Sequence, residues 1–388
     1  MRRPSVVECL IASIVSLVLA VASLGCRSTR SSAPPPVAST ATPNAESIPS
    51  TANALAPPVA STSVTSDRFT PVPLPGANGG IGFDDLTFAP RLRRLVAPAG
   101  RTGKLDLIDP ATREAVAVDG FATMEEHARG HEQGTTSADE GGAFIFAIDR
   151  TTKRLDVVDP KQRKIVANAP LGGSPDYVRW VESTREVWVT EPDNDRIEIF
   201  AVAGTPPKPS HAAFIKVDGG PESLVIDNKR QRAFTHLWKA SSVAVDLHSR
   251  STIATWHNGC SGSRGIALDE SRGFLFAGCS EGKAFTIDVD HDGKPIGSAT
   301  TGNGVDVIAY SASLKHLYVP GAASATMTIL DVKDTGELVT LATLPTAKGA
   351  HCVAADDQGG VWVCDPEEGR ILYLKDAFGA SVTARSPR

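Results

Sequence analysis

No long amphipathic helical pattern occurs in this 388-residue chain, and that absence argues against an alternating α/β fold. The chain also has no G-x-x-x-x-G-K-[ST] phosphate loop, no G-x-G-x-x-G dinucleotide fingerprint and no C-x-x-C-H haem attachment site. Nucleotide, nicotinamide and c-type haem chemistries therefore lack their usual sequence basis. Positive charge is not in excess: the formal net charge is −5, which leaves no electrostatic footprint for nucleic acid. Long apolar runs are missing too, with one exception.

That exception is Cys9 to Leu24, CLIASIVSLVLAVASL, which follows Arg2 and Arg3 and precedes Gly25 and Cys26. Residues 1–26 read as an export signal whose apolar segment is too short for a comfortable membrane span. The Gly-Cys ending resembles the lipobox of bacterial lipoproteins, in which the cysteine, here Cys26, becomes lipidated and N-terminal. Ser23 and Leu24 depart from that motif, so ordinary signal cleavage and an uncleaved anchor stay open as alternatives. Residues 27–66 are dominated by Ser, Thr, Ala and Pro and read as a disordered tether. Losing Arg2, Arg3 and Glu8 with the signal takes the net charge from −5 to −6, still mildly acidic. The expectation is an exported protein, periplasmic or at the cell surface, that meets a membrane only through a lipid anchor.

Four cysteines remain beyond the signal, an even number suited to an oxidising compartment. Cys352 and Cys364 flank the turn DDQG and should face each other across a hairpin; Cys260 and Cys279 bracket another. The expected disulfides are Cys260–Cys279 and Cys352–Cys364, the alternative being free buried thiols. Each bridge would contribute about 3 kcal/mol in the loop-entropy model.

The segment Arg264 to Asp288 states a unit that recurs along the chain: IALD, a turn, FLFAG, a connection, then AFTID. Its second run returns as LVAP at Leu95, FIFA at Phe144, VWVT at Val187, AFTH at Ala233, FLFA at Phe274, LYVP at Leu317 and VWVC at Val361. Successive spacings are 49, 43, 46, 41, 43 and 44 residues. The third runs mostly close on an aspartate, Asp109, Asp159, Asp246, Asp288 and Asp331, placed to accept backbone N–H groups of the next turn. First runs without clean alternation suggest inner strands packed on both faces. Fourth strands read as EAVAV, KIVANA, AAFIKV, TIATW and LVTLATL. Seven such units predict an all-β, seven-bladed β-propeller of four-stranded antiparallel blades over residues 67–378, followed by a tail at 379–388. The last unit lacks a fourth strand, so a strand within Arg68 to Gly76 is expected to close the ring and remove an open edge.

VWVTEPDNDRIEIF from Val187 and LYVPGAASATMTILDVKDTGELV from Leu317 resemble the repeat of the YVTN, or YncE-like, β-propellers. The resemblance spans about Asp84 to Asp376 and implies an exported bacterial propeller, some members of which bind DNA or other partners. It carries no catalytic motif onto these residues.

Internal symmetry locates one channel mouth. Ten or eleven residues before each second run stand Asp84, Asp176, Glu222, Arg264, Asp306 and His351, with the second repeat ambiguous between Gln133 and Thr136. A purely structural position would not require charge at six of seven repeats. Such a ring can grip a polar ligand, or hold a divalent cation, calcium or zinc, through Asp176, Glu222 and Asp306. The bland alternative is solvated charge at a wet channel mouth.

Other motifs are less specific. HARGH sets His127 and His131 one helical turn apart, a spacing suited to a metal, although the flanking Glu126 and Glu132 do not make an HExxH motif. DVDHDG at Asp288 to Gly293 opens like a calcium loop, but its twelfth position is Ala299 where a bidentate Glu belongs, so a hairpin turn fits better. Trp238 and Lys239 sit on a connection and can stack on a ligand or pack between blades, whereas Trp188 and Trp362 read as core. GCSGSRG leads into a strand, which is the wrong context for a nucleophile elbow. The leading expectation is a monomeric binding scaffold for an envelope protein or small polar ligand. The alternatives are a metal-dependent hydrolase or lactonase with His351 as base and, third, DNA binding, which the acidic charge opposes.

Overall fold

The computed structural model describes residues 67–125 and 133–378. The signal, Cys26, the tether, His127, His131 and residues 379–388 lie outside the described residues. Within them the chain is all-β: seven sheets, each of four antiparallel strands, follow one another in sequence.

Blade III shows the plan. Val178–Val181 lines the channel, then Glu186–Glu191, Arg196–Ala203 and Lys208–Lys216 step outward, each pairing antiparallel with its predecessor. The second strands coincide with the repeated apolar runs: Arg94–Pro98, Phe144–Asp149, Glu186–Glu191, Arg232–Leu237, Phe274–Cys279, His316–Gly321 and Gly360–Asp365. The expectation that first strands are the ones packed on both faces needs adjusting. Second strands are the buried element, every residue of Glu186–Glu191, Phe274–Cys279, His316–Gly321 and Gly360–Asp365 being buried. First strands vary: Val178–Val181, Val225–Asp227 and Ala309–Ser311 are short and partly exposed, whereas Thr135–Gly141 and Ser263–Asp269 are seven residues long and mostly buried. Trp188 and Trp362 lie in two of those second strands, fully buried as core. Blade V has an outer strand, Lys294–Thr300, that the sequence pattern did not reveal.

Turn chemistry repeats with the blades. Asp159 accepts the amides of Lys161 and Gln162 at 2.9 and 3.0 Å, and Asp246 those of His248 and Ser249 at 3.2 and 2.7 Å. The DVDHDG segment is a hairpin turn, and its Asp290 accepts from Arg230 of the neighbouring blade, from Nε at 2.7 Å and from Nη2 at 2.6 Å. Gly265 answers a different need: a Cβ there would lie 2.5 Å from the carbonyl oxygen of Asp306, so blades V and VI approach too closely for any side chain.

The ring closes as expected. Thr70–Pro73 pairs antiparallel with Arg370–Lys375 and becomes the outermost strand of the last blade, Val72 standing opposite Ile371. A strand from the start of the domain thus supplies what the last repeat lacks and covers an open edge. Val72 is 1% exposed while Thr70 is exposed. Val72→Ala should therefore lower the unfolding free energy by about 2 kcal/mol, and Thr70→Ala by less than about 0.5 kcal/mol, in denaturant titrations. Equal effects would mean that this strand is not docked.

Candidate functional site

The inner strands begin at one mouth of the channel, and the repeat-equivalent residues stand there together. Thr136 occupies the ambiguous seventh position, at the bulge between Thr135 and Ser137 where blade V carries Arg264 between Ser263 and Gly265. The charged residues are not simply solvated. Arg150 Nη2 donates to Asp84 Oδ2 at 3.0 Å and also pairs with Asp176, while Arg264 pairs with Glu222. Asp84, Asp176 and Glu222 are each at most 8% exposed. Two arginines thus hold three carboxylates that would otherwise repel at short range.

Asp306 belongs to the same electrostatic neighbourhood. Burial lifts the Glu222 carboxyl to about 7, opposed by Arg264 and reinforced by Asp306 and Asp84. Tyr177, immediately below the rim, is pushed well above its ordinary value by burial and then by Asp84, Asp306, Asp85 and Glu222. Deeper still, Arg179 makes a bidentate pair with Asp85 at 2.6 and 3.0 Å, Ser137 Oγ donates to the same carboxylate at 2.6 Å, and the amide of Val178 donates to Ser137 Oγ at 3.1 Å. These contacts pin blades I, II and III around the channel.

His351 does not stand ready as a base. Its Nδ1 meets the carbonyl of Gly349 and its Nε2 that of Phe83, both at 2.7 Å, so neither ring nitrogen presents a free lone pair to a water molecule. Its own carbonyl accepts the amide of Val307 at 2.9 Å, and the residue joins blades VI, VII and I. Of the candidate metal set Asp176, Glu222 and Asp306, the first two are paired with arginines. Among the described residues, the group of potential ligand atoms within 4.8 Å of one another is His351, Cys352 and Cys364. Both of those cysteines are bonded to each other and have no thiolate to offer.

The disulfides form as paired from the sequence. Cys260–Cys279 and Cys352–Cys364 have Cα separations of 5.2 and 5.6 Å, and both tie the start of an inner strand to the end of its second strand on the mouth side. Glu281 continues the bracing by accepting the amides of Ser261 and Gly262 at 2.7 and 3.1 Å.

A cavity of about 380 Å³ opens at this mouth between blades II and V, walled by Arg150, Asp176, Pro192, Glu222, Trp238 and Arg264. Arg150, Pro192 and Trp238 share one origin: each directly follows a second strand. The residues directly after the other second strands are Ala99, Ser280, Ala322 and Pro366, so two of seven carry a large side chain into the mouth. The same repeat spacing, carried across the second strand, marks this second ring in the sequence. Trp238 is 42% exposed, and the Arg264 guanidinium carbon lies 5.6 Å from its ring centre.

No protein-family model and no curated protein matches the chain. Solved structures do match in fold. Hydrazine synthase of Kuenenia stuttgartiensis aligns at a TM-score of 0.63 with 14% identity, over 82% of this chain and 99% of that one. A chain of the mitotic checkpoint complex aligns at 0.64 with 12% identity, over 86% and 98%. The Cps50 (Swd1) β-propeller domain of Myceliophteria thermophila aligns at 0.61 with 12% identity, over 77% and 98%. At such identities the likeness is one of fold, and the chain is a seven-bladed β-propeller.

The raised carboxyls set a pH dependence. Glu222 titrates near 7 instead of 4.5, and burial likewise lifts Asp106 to about 7 from 3.8. The folded chain therefore holds more protons than the unfolded chain between those values, so stability falls as pH rises through that window. The melting temperature should be lower at pH 8 than at pH 5.5, and Glu222→Gln should shrink the difference. A melting temperature that climbs over this range would contradict the arrangement.

Proposed function

We propose that the chain is an exported binding module that takes a small polar ligand, or a polar segment of an envelope protein, at the mouth formed by Trp238, Arg264, Glu222, Asp176 and Arg150. The observation that carries this reading is the exposed indole of Trp238 on the wall of a cavity whose charged side chains are already held in place by one another. Preorganised polar groups beside a free apolar surface are what a ligand site needs, and packing alone does not require them. Propeller domains commonly serve as binding scaffolds in complexes, which agrees with this use of the fold. Asp84, Asp306 and His351 act behind this wall, the first two shaping the field at the rim and the third joining blades.

Export belongs to the same proposal. Residues 1–26 act as the signal, with Cys26 the lipidation site if the lipobox is read, and residues 27–66 hold the propeller away from the membrane. Two disulfides suit an oxidising compartment. Kinship with the YVTN-repeat propellers rests on the repeats at Val187 and Leu317. DNA is a poor candidate for this mouth, because its carboxylates would face phosphates.

Affinity capture from envelope extract, with the wild type compared against Trp238→Ala and Arg264→Ala, tests the reading. Both variants should lose the specifically retained component, and Phe214→Ala, on the outer strand Lys208–Lys216, should keep it. Identical capture by all four proteins would place binding elsewhere.

A further inference from the structure

The chemistry of the mouth narrows its ligand, given the binding reading above. We infer that the cavity beside Trp238 receives an uncharged saccharide ring, stacked on the indole and hydrogen-bonded to the Arg150–Asp176 and Arg264–Glu222 pairs.

Charge is the first constraint. Both signs stand on the same wall, and both arginines are already paired, Arg150 with Asp84 and Asp176 and Arg264 with Glu222. An anionic ligand would meet Asp176, Glu222 and the exposed Asp193 at the rim. A cationic one would meet two guanidinium groups. An anionic ligand would have to break an ion pair to claim a guanidinium, and a cationic one to claim its partner carboxylate, which leaves an uncompensated group in a site where Arg150 and Asp176 are each only 12% exposed. A neutral ligand faces no such exchange.

Hydrogen-bonding capacity is the second. A guanidinium carries five N–H donors and a carboxylate about four acceptor positions, so one ion pair does not exhaust them, and the Arg264 guanidinium is 38% exposed at the mouth. Hydroxyl groups both donate and accept, and adjacent hydroxyls on a ring can bridge the two halves of an ion pair without displacing either. Ser174 adds a further hydroxyl on the same wall.

The third constraint is the indole. Trp238 keeps 42% of its surface exposed although it lines a concavity, and a ligand with one apolar face would cover it. The electron-rich face of an aromatic ring attracts weakly positive C–H groups, and one side of a pyranose ring presents a row of them. A wholly apolar ligand would strand the polar wall. A cavity of about 380 Å³ lies at the small-molecule end of the usual range, enough for one or two sugar units.

The source of the sugar, free oligosaccharide or glycan on a protein, is separable by experiment. Purified protein is applied to an array of free neutral, amino and uronic-acid oligosaccharides, and in parallel to envelope extract with and without periodate, which cleaves vicinal diols. Binding to neutral glycans supports the inference and identifies a free ligand; periodate-sensitive capture from extract supports it and identifies a glycoconjugate. For the best array hit, Trp238→Ala should weaken binding at least about tenfold and Trp238→Phe less than about fivefold, with the melting temperature of both unchanged. Binding to charged glycans only, or an empty array together with periodate-insensitive capture, overturns the saccharide. In the second case capture that still depends on Trp238 leaves the binding reading standing, and its loss removes both.

Discussion

A four-stranded blade has two apolar faces, and only a ring provides a neighbour for each. The rest of the structure depends on that closure. Thr70–Pro73 joins Arg370–Lys375 as the outer strand of the last blade, so that the first and last segments of the domain share one sheet. Second strands are then sandwiched throughout, and Trp188 and Trp362 find space between sheets. First strands line a channel whose seven starting positions converge at one mouth. The site is thus a consequence of the ring: no single blade holds more than one or two of its residues.

Convergence brings like charges together, and the structure answers with two arginines. Arg150 comes from the residue after a second strand and Arg264 from a first strand, yet both turn to carboxylates on other blades, Asp84 and Asp176 for the one and Glu222 for the other. Burial lifts the Glu222 carboxyl to about 7 against the opposing charge of Arg264. The pairs stiffen the mouth at the same place where the disulfides Cys260–Cys279 and Cys352–Cys364 brace it. A mouth fixed from several sides is suited to recognition by preformed shape.

The fold was legible in the sequence because its signal is summed over seven copies. A single run such as FLFAG says little, but the same run at intervals of 41 to 49 residues leaves few architectures. The outer strand Lys294–Thr300 escaped because Pro295, Gly297 and Ser298 give it no apolar pattern, which an exposed edge does not need. The site was legible only in outline. Position in the repeat identified Asp84, Asp176, Glu222, Arg264, Asp306 and His351, but the partners that decide their chemistry are not local. Arg150 meets Asp84 across 66 residues, and Arg179 meets Asp85 across 94. His351, a base only under the hydrolase alternative, faces a carbonyl with each ring nitrogen. Repeat symmetry finds where a side chain stands, and only the folded ring shows what it touches.

The central claim is that the mouth is a prebuilt face held by arginine–carboxylate pairs. A double-mutant cycle on Arg150→Met and Asp176→Asn, read as unfolding free energies in denaturant, measures it most directly. The account predicts a coupling of about 1–3 kcal/mol between the two positions, since both side chains are only 12% exposed. Additivity within about 0.3 kcal/mol would contradict it.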